Sequence, residues 1–172
     1  MLQIKNQDRS RAMFEDTSRQ QTTTEGVAFP DDRHFIVNSE LSTVIQFKSL
    51  DWGMERCVLN AVLPTKTMDL DPAIHMNGTN ILDIWALDFD EEISIHDPRT
   101  WSKAPKRRSH FAQFVFPLLT VWSSVEFQCP SLTWKTFEFA CAPMTAACQV
   151  EFWQDRASLN GIFLKQFDSV NI

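Results

Sequence analysis

"FEFACAPMTAACQVEFW", residues 137–153, places Cys141 and Cys148 seven apart between two runs in which apolar and polar residues alternate. A strand turns successive side chains to opposite faces, so Phe137, Phe139 and Cys141 share one face, as do Cys148, Val150 and Phe152, while Glu138, Gln149 and Glu151 take the other. The six residues between the cysteines, "APMTAA", suit a hairpin loop, and a hairpin would set the two sulfurs opposite each other at its base. A disulfide is feasible there, because the Cα atoms of facing strand residues fall within the usual ~4.4–6.8 Å. On the chain-entropy model so short a loop contributes ~2–3 kcal/mol.

A zinc site needs four ligands in close pairs, and neither this spacing nor the single Cys57 and Cys129 supplies them. A redox pair of the thioredoxin type needs C-x-x-C at a helix start, which is also missing. Two readings of the four cysteines stay open: buried thiols in a reducing cell, or disulfides formed after export with Cys141–Cys148 as the leading pair.

Outward from this stretch the same texture repeats. Residues 34–38, 43–47, 55–63, 80–87, 110–116, 121–127, 135–141, 148–154 and 161–167 are short apolar runs separated by Pro, Gly, Asn, Asp and Ser, and none keeps a 3.6-residue period. Nine such runs predict an all-β, two-sheet antiparallel β-sandwich, jelly-roll-like, over residues 33–172. Residues 1–32 are rich in Gln, Thr, Ser and charge, with few clustered apolar side chains, and read as a flexible polar tail.

At 172 residues the chain is long enough for one domain with a real core. Sixteen basic against 22 acidic residues give a net charge of −6, which argues against generic binding to nucleic acid or anionic lipid. No stretch approaches the ~20 apolar residues of a membrane span. The sequence as written, with no apolar leader after Met1, is expected to be cytoplasmic; an N-terminal truncation would make it extracellular or membrane-tethered. "NGT" at Asn77 is a glycosylation sequon that matters only in the second case.

Three further stretches are candidates for a site. "DPRTWSKAPKRR", residues 97–108, sets Trp101 and Pro105 as a loop that pins one end of the sandwich, and clusters Lys103, Lys106, Arg107 and Arg108 as a candidate anion patch or a solvated rim. "LDFDEEISIHDP", residues 87–98, is acidic without the spacing of a calcium loop, and is expected to pair with the basic run that follows it. Trp52, Trp134 and Trp153 are candidates for stacking on a ligand such as a sugar, Trp153 because it falls on the polar face of its strand. Four glycines leave no phosphate-binding loop, and no hydrolase or metalloprotease motif is present. His34, His75, His96 and His110 are dispersed along the chain.

Two family likenesses rest on particular residues. "STVIQFKSLDWGMERCVLNAVL", then "LDIWALD" and "TWSKAP", is similar to DNRLRE-type surface modules, which implies a jelly-roll sandwich. "FQCPSLTWKTFEFACAPMTAACQVEFWQ" with "GIFLKQF" resembles fungal proteins carrying the C-terminal domain of a ubiquitin-three binding protein, which implies a β-rich domain of secreted or membrane-tethered proteins. Neither likeness implies a catalytic residue, a metal or a cofactor. The expectation is a non-catalytic binding module for an unknown protein or glycan. A carbohydrate-binding module is the alternative, and a sandwich hydrolase with two distant carboxylates is a third reading.

Overall fold

Alternation carries through to strands that bury one face and pair antiparallel throughout. A computed structural model describes residues 1–24, 26–28, 33–62, 75–76, 80–94, 102–116, 121–143, 145, 148–154 and 161–170. The strands are β1 (Leu2–Lys5), β2 (Met13–Glu15), β3 (Gln21–Thr23), β4 (Gly26–Ala28), β5 (Arg33–Asn38), β6 (Leu41–Lys48), β7 (Arg56–Val62), β8 (His75–Met76), β9 (Asn80–Leu87) and β10 (Arg107–Phe116). They continue with β11 (Val121–Ser123), β12 (Phe127–Gln128), β13 (Trp134–Cys141), β14 (Gln149–Gln154) and β15 (Gly161–Phe167).

One layer is a six-stranded sheet in the order β10-β9-β13-β6-β1-β2. Facing it are β7, paired with β15, β11 and β12, and the sheet β5-β14-β8; β3 and β4 form a separate hairpin. The main core lies between the layers. Ile45, Leu82, Ile84, Phe114, Phe137 and Phe139 come from the large sheet, and Phe35, Val37, Leu59, Ala61, Val150, Phe152 and Ile162 come from the other side. The β-sandwich expected from the periodicity is therefore present, with more and shorter strands than the nine apolar runs. One run is divided: 121–127 becomes β11 and β12, both on β7, with Ser124 bulged between them. There the Leu59 N–H donates to Ser124 Oγ (3.0 Å) and the Ser124 N–H to the Leu59 carbonyl (2.8 Å), which satisfies the backbone that the bulge leaves unpaired.

The hairpin reading of residues 137–153 is corrected. β13 pairs with β6 and β9 on its two edges, and β14 pairs with β5 and β8, so the two strands lie in different layers. The chain arches across the core at Ala142, whose N–H donates to the Ile81 carbonyl (2.9 Å). Cys141 and Cys148 do form a disulfide, Cα–Cα 6.0 Å, and it joins the two layers. Alternation could not separate the cases, since a hairpin and an arch both put these sulfurs on the apolar face. A second disulfide, Cys57–Cys129 (Cα–Cα 5.8 Å), closes 72 residues. No cysteine is left free.

The flexible-tail reading is corrected for its described part. β1 and β2 extend the large sheet, with Leu2 opposite Val44 and Ile4 opposite both Ser42 and Met13. Ile4 and Met13 join Val44, Leu87 and Ala104 in a second small core on the outer face of the same sheet. Few apolar residues suffice because strand pairing and an ion pair do the rest. Glu138, the carboxylate of β13, is fully buried on that outer face. It accepts from Arg107 Nη2 (2.8 Å) and Nε (2.9 Å), from Arg11 Nη2 (2.5 Å) and from Ser42 Oγ (2.9 Å). The Ala104 N–H donates to the Arg11 carbonyl (2.9 Å), fastening the N-terminal segment to the chain before β10. Trp101, His96, Asp97 and the Asn77 sequon lie outside the described residues.

Two predictions follow the cross-links and this carboxylate. On the chain-entropy model, replacing Cys57 and Cys129 by Ala costs about 4 kcal/mol, against about 2.5 kcal/mol for Cys141 and Cys148, so urea unfolding without reductant should rank the two variants in that order. Burial works against the Glu138 carboxylate, but the hydrogen bonds and charge of Arg107, with Arg11, outweigh it and hold its pKa below the usual range. A depressed folded pKa gives stability that is present above the ordinary carboxylate value of about 4 and is lost as pH falls through the folded value. Glu138→Gln should therefore lose about 1.5–3 kcal/mol at neutral pH, the worth of charge-assisted hydrogen bonds to two half-exposed arginines, and should show a shallower acid limb in stability against pH.

Candidate functional site

Exposed apolar side chains are not spread evenly. Seven large ones stand out among the described residues, and five of them, Leu50, Trp52, Leu132, Phe167 and Val170, lie on three segments at one end of the sandwich. These are the β6–β7 connection, the turn before β13 and the end of β15. Trp52 is 78% exposed, Val170 73% and Leu132 58%, values closer to a contact surface than to a core edge.

Glu55 holds the three segments together. Its Oε1 accepts from the Gly53 N–H (3.0 Å) and from Ser131 Oγ (2.8 Å), and its Oε2 accepts from the Ser169 hydroxyl. The Glu55 N–H returns a bond to Ser169 Oγ (3.2 Å), and its carbonyl accepts from the Cys129 N–H (2.9 Å). The Ser169 and Ser131 hydroxyls, then the Gly53 N–H, hold this carboxyl below its ordinary pKa. The Cys57–Cys129 disulfide closes the base of the same loops. Gly53 has φ +75°, and a Cβ there would stand 3.1 Å from Val170 Cγ2, so glycine allows the β6–β7 turn and the C-terminal end of β15 to touch.

Leu132 is the unusual residue. It occupies the left-handed region at φ 61°, where a side chain costs about 1–2 kcal/mol and glycine or asparagine is the ordinary choice. The turn around it is fixed, the Leu132 N–H donating to the Ser49 carbonyl (2.7 Å) and the Thr133 N–H to the Pro130 carbonyl (3.2 Å). An exposed leucine in a strained position contributes little to folding, which directs attention to what it touches outside the chain.

The candidate stacking residues separate. Trp52 stands open at this end, and Trp134 begins β13 opposite Lys48, half-buried with Lys48 Nζ 5.1 Å from its ring centroid. Trp153 belongs to another sheet, on the outer face of the β5–β14 pair. His34 stacks on it at 4.4 Å, and the Arg19 guanidinium sits 3.9 Å from its centroid. The candidate anion patch divides as well. Lys103 and Lys106 are exposed, but Arg107 is committed to Glu138 and to the Trp85 ring (4.8 Å), and Arg108 to Asp88 (2.8 Å) and Asp90 (3.0 Å). The pairing expected between the acidic run and the basic run is thus formed.

Folding also gives two histidines acidic partners that chain distance concealed. His110 Nε2 meets Asp83 Oδ1 at 3.1 Å, and His34 lies between Asp16 and Glu151. No group of three or more His, Cys, Asp or Glu side chains is placed to hold a metal ion among the described residues. Among those residues no helix is long and apolar enough to cross a membrane. Comparison with protein-family models, curated proteins and solved structures finds no match.

The strain at Leu132 gives a prediction that separates binding from folding. Leu132→Gly removes a left-handed penalty of about 1–2 kcal/mol and adds a glycine entropy cost of about 0.5–1 kcal/mol. Its unfolding free energy should stay level or rise slightly, which a urea titration beside the wild type measures.

Proposed function

We propose that the protein is a non-catalytic interaction module that binds a polypeptide through the apolar loops around Trp52. The single observation that carries this reading is the gathering of five of the seven exposed large apolar side chains on three segments cross-tied by Glu55 and by Cys57–Cys129. Such a surface meets a partner with little further ordering, and so loses less entropy on binding than free loops would.

The chemistry favours a polypeptide over a sugar or a bilayer. Leu50, Leu132 and Val170 are aliphatic, and the hydroxyl protons of Ser131 and Ser169 are already given to Glu55, so apolar side chains make up most of the surface around Trp52. Asp51, Glu126 and Asp168 flank the surface and oppose an anionic leaflet. Trp52, open and adjacent to Asp51, supports the carbohydrate reading as the second choice. The pairing of all four cysteines favours maturation in an oxidising compartment, in keeping with the likeness to secreted or tethered modules. A thiol count of zero on unreduced, denatured protein from its native source is the expected result.

The test is selection of displayed random peptides on the intact protein. Selected peptides should carry apolar anchors, bind Lys103→Ala/Lys106→Ala as they bind wild type, and weaken about thirtyfold on Trp52→Ala, the effect of losing one aromatic anchor. Binders indifferent to Trp52→Ala and Leu132→Gly would overturn the assignment. A glycan-array signal that Trp52→Ala abolishes, with no peptide selected, would transfer the surface to the carbohydrate reading.

A further inference from the structure

His34 sits where the N-terminal segment crosses the outer face of the β5–β14 pair. Its Nδ1 meets Asp16 Oδ2 and its Nε2 meets Glu151 Oε1 at 3.0 Å. All three side chains are largely enclosed, at 12%, 19% and 20% exposure for His34, Asp16 and Glu151. An ionised carboxylate only accepts, and a neutral imidazole has a single N–H, so the neutral ring can satisfy one of these carboxylates while turning a lone pair toward the other. Both contacts are attractive only for the imidazolium. The ring also lies flat on Trp153, its cross-strand neighbour, at 4.4 Å and 3° between planes, an arrangement that favours a cation.

The segment that supplies Asp16 also supplies Arg19, whose guanidinium lies over the Trp153 ring at 3.9 Å. Between them the Ser18 N–H donates to Asp16 Oδ1 (2.8 Å) and the Gln20 N–H to the Thr17 carbonyl (3.0 Å), so residues 16–20 form a folded strap with one face against β14. Burial opposes the Asp16 charge, but the Ser18 backbone and hydroxyl and the His34 ring hold its carboxyl below the ordinary range. The charged and titratable groups near His34 among the described residues are Asp16 and Arg19 on the strap, Glu15 at the end of β2, Glu151 on β14, Arg33 beside it on β5 and the Met1 amine near Glu15 and Arg33, with His75 of β8 at the register position opposite Glu151.

We propose that His34 is a pH-operated latch: as the imidazolium it pins the strap of residues 16–20 over Trp153, and release of its proton to solvent frees the strap and uncovers the indole. The latch holds while the ring carries both protons between the two carboxylates, and opens when the ring gives one up and turns a lone pair toward one of them. It acts on a face separate from the loops around Trp52 and does not depend on the function proposed for them. Trp153, which its strand phase marks as a stacking residue, is then a ligand-facing ring only in the open state.

Hydrogen exchange of the full chain at pH 5.5 and 8.5, corrected for the intrinsic pH dependence of exchange, reads the latch directly. Amides of residues 16–20 should lose about tenfold in protection at the higher pH, the factor that one charge-assisted hydrogen bond supplies, while amides of β13 stay protected. His34→Gln, whose amide offers a donor on one side and an acceptor on the other, and Asp16→Asn should both show the low protection at both pH values. Unchanged protection in the wild type, or a pH dependence retained in His34→Gln, overturns the proposal. If a variant loses β13 protection, wild-type NMR decides alone: the His34 ring proton and the Ser18 and Arg19 amides must titrate with one midpoint, and separate midpoints overturn it.

Discussion

The carboxylate of Glu138 is the constraint on which the large sheet depends. It lies in the middle of the central strand β13, between β6 and β9, with no exposure on a face that would otherwise be open to water. An ion in such a place is costly unless it is paired and hydrogen-bonded, and no single neighbour on the sheet satisfies it. The answer comes from two distant parts of the chain. Arg107 arrives at the start of β10 and Arg11 on the connection between β1 and β2, and the Ala104–Arg11 backbone bond closes the ring between them. Burying the charge thus recruits the first strands of the chain, and with them Ile4 and Met13, to cover the outer face. It also commits Arg107 Nε and Nη2 to an internal carboxylate.

A related device recurs where strands pass between sheets. Thr43 Oγ1 on β6 donates to the Ile36 carbonyl (2.6 Å) and accepts from the Ile36 N–H (3.1 Å) on β5, so one hydroxyl serves both backbone groups across the layers. Gln154 at the end of β14 does the same for Ile162 on β15, accepting its N–H (2.8 Å) and donating to its carbonyl (3.3 Å). Ser124 fills the break between β11 and β12. A sandwich of many short strands has many such seams, and each leaves backbone groups that must find partners. Polar side chains at these seams, with the Cys141–Cys148 cross-link, give backbone groups partners where the layers part and rejoin.

What the sequence disclosed and what it concealed divide along one physical line. Period-two alternation reports which face a residue takes, so the β-sandwich and the inward direction of Phe137, Phe139, Val150 and Phe152 were legible. Alternation carries no information about which strands are neighbours, and so the arch at Ala142 read as a hairpin. Glu138 looked like an exposed outer residue because the groups that bury it lie 127 and 31 positions away. The partners of His34, 18 and 117 positions distant, were concealed for the same reason. "LQIK" at residues 2–5 does carry a strand signal, two apolar residues two apart, but it is too short to stand out from a polar background. At the candidate site Trp52 and Gly53 could be singled out from the chain, whereas Leu132 could not, since a left-handed leucine leaves no mark in a sequence.

The polar groups play different parts at the ring of Trp153 and at the loops around Trp52, the surface proposed for contact. At Trp153 the polar neighbours are charged and reach the indole itself, so the ring is already covered by Arg19 and His34, and any ligand must displace them. Around Trp52, Glu55 takes two hydroxyls and a backbone N–H and the disulfide closes the base, so the polar groups there tie the loops to one another, and Asp51 and Asp168 stand exposed beside the five apolar side chains. A left-handed leucine and an open indole add nothing to folding, so the proposed contact role gives both a physical reason to stand there, with the ties at Glu55 and Cys57–Cys129 offsetting the strain at Leu132.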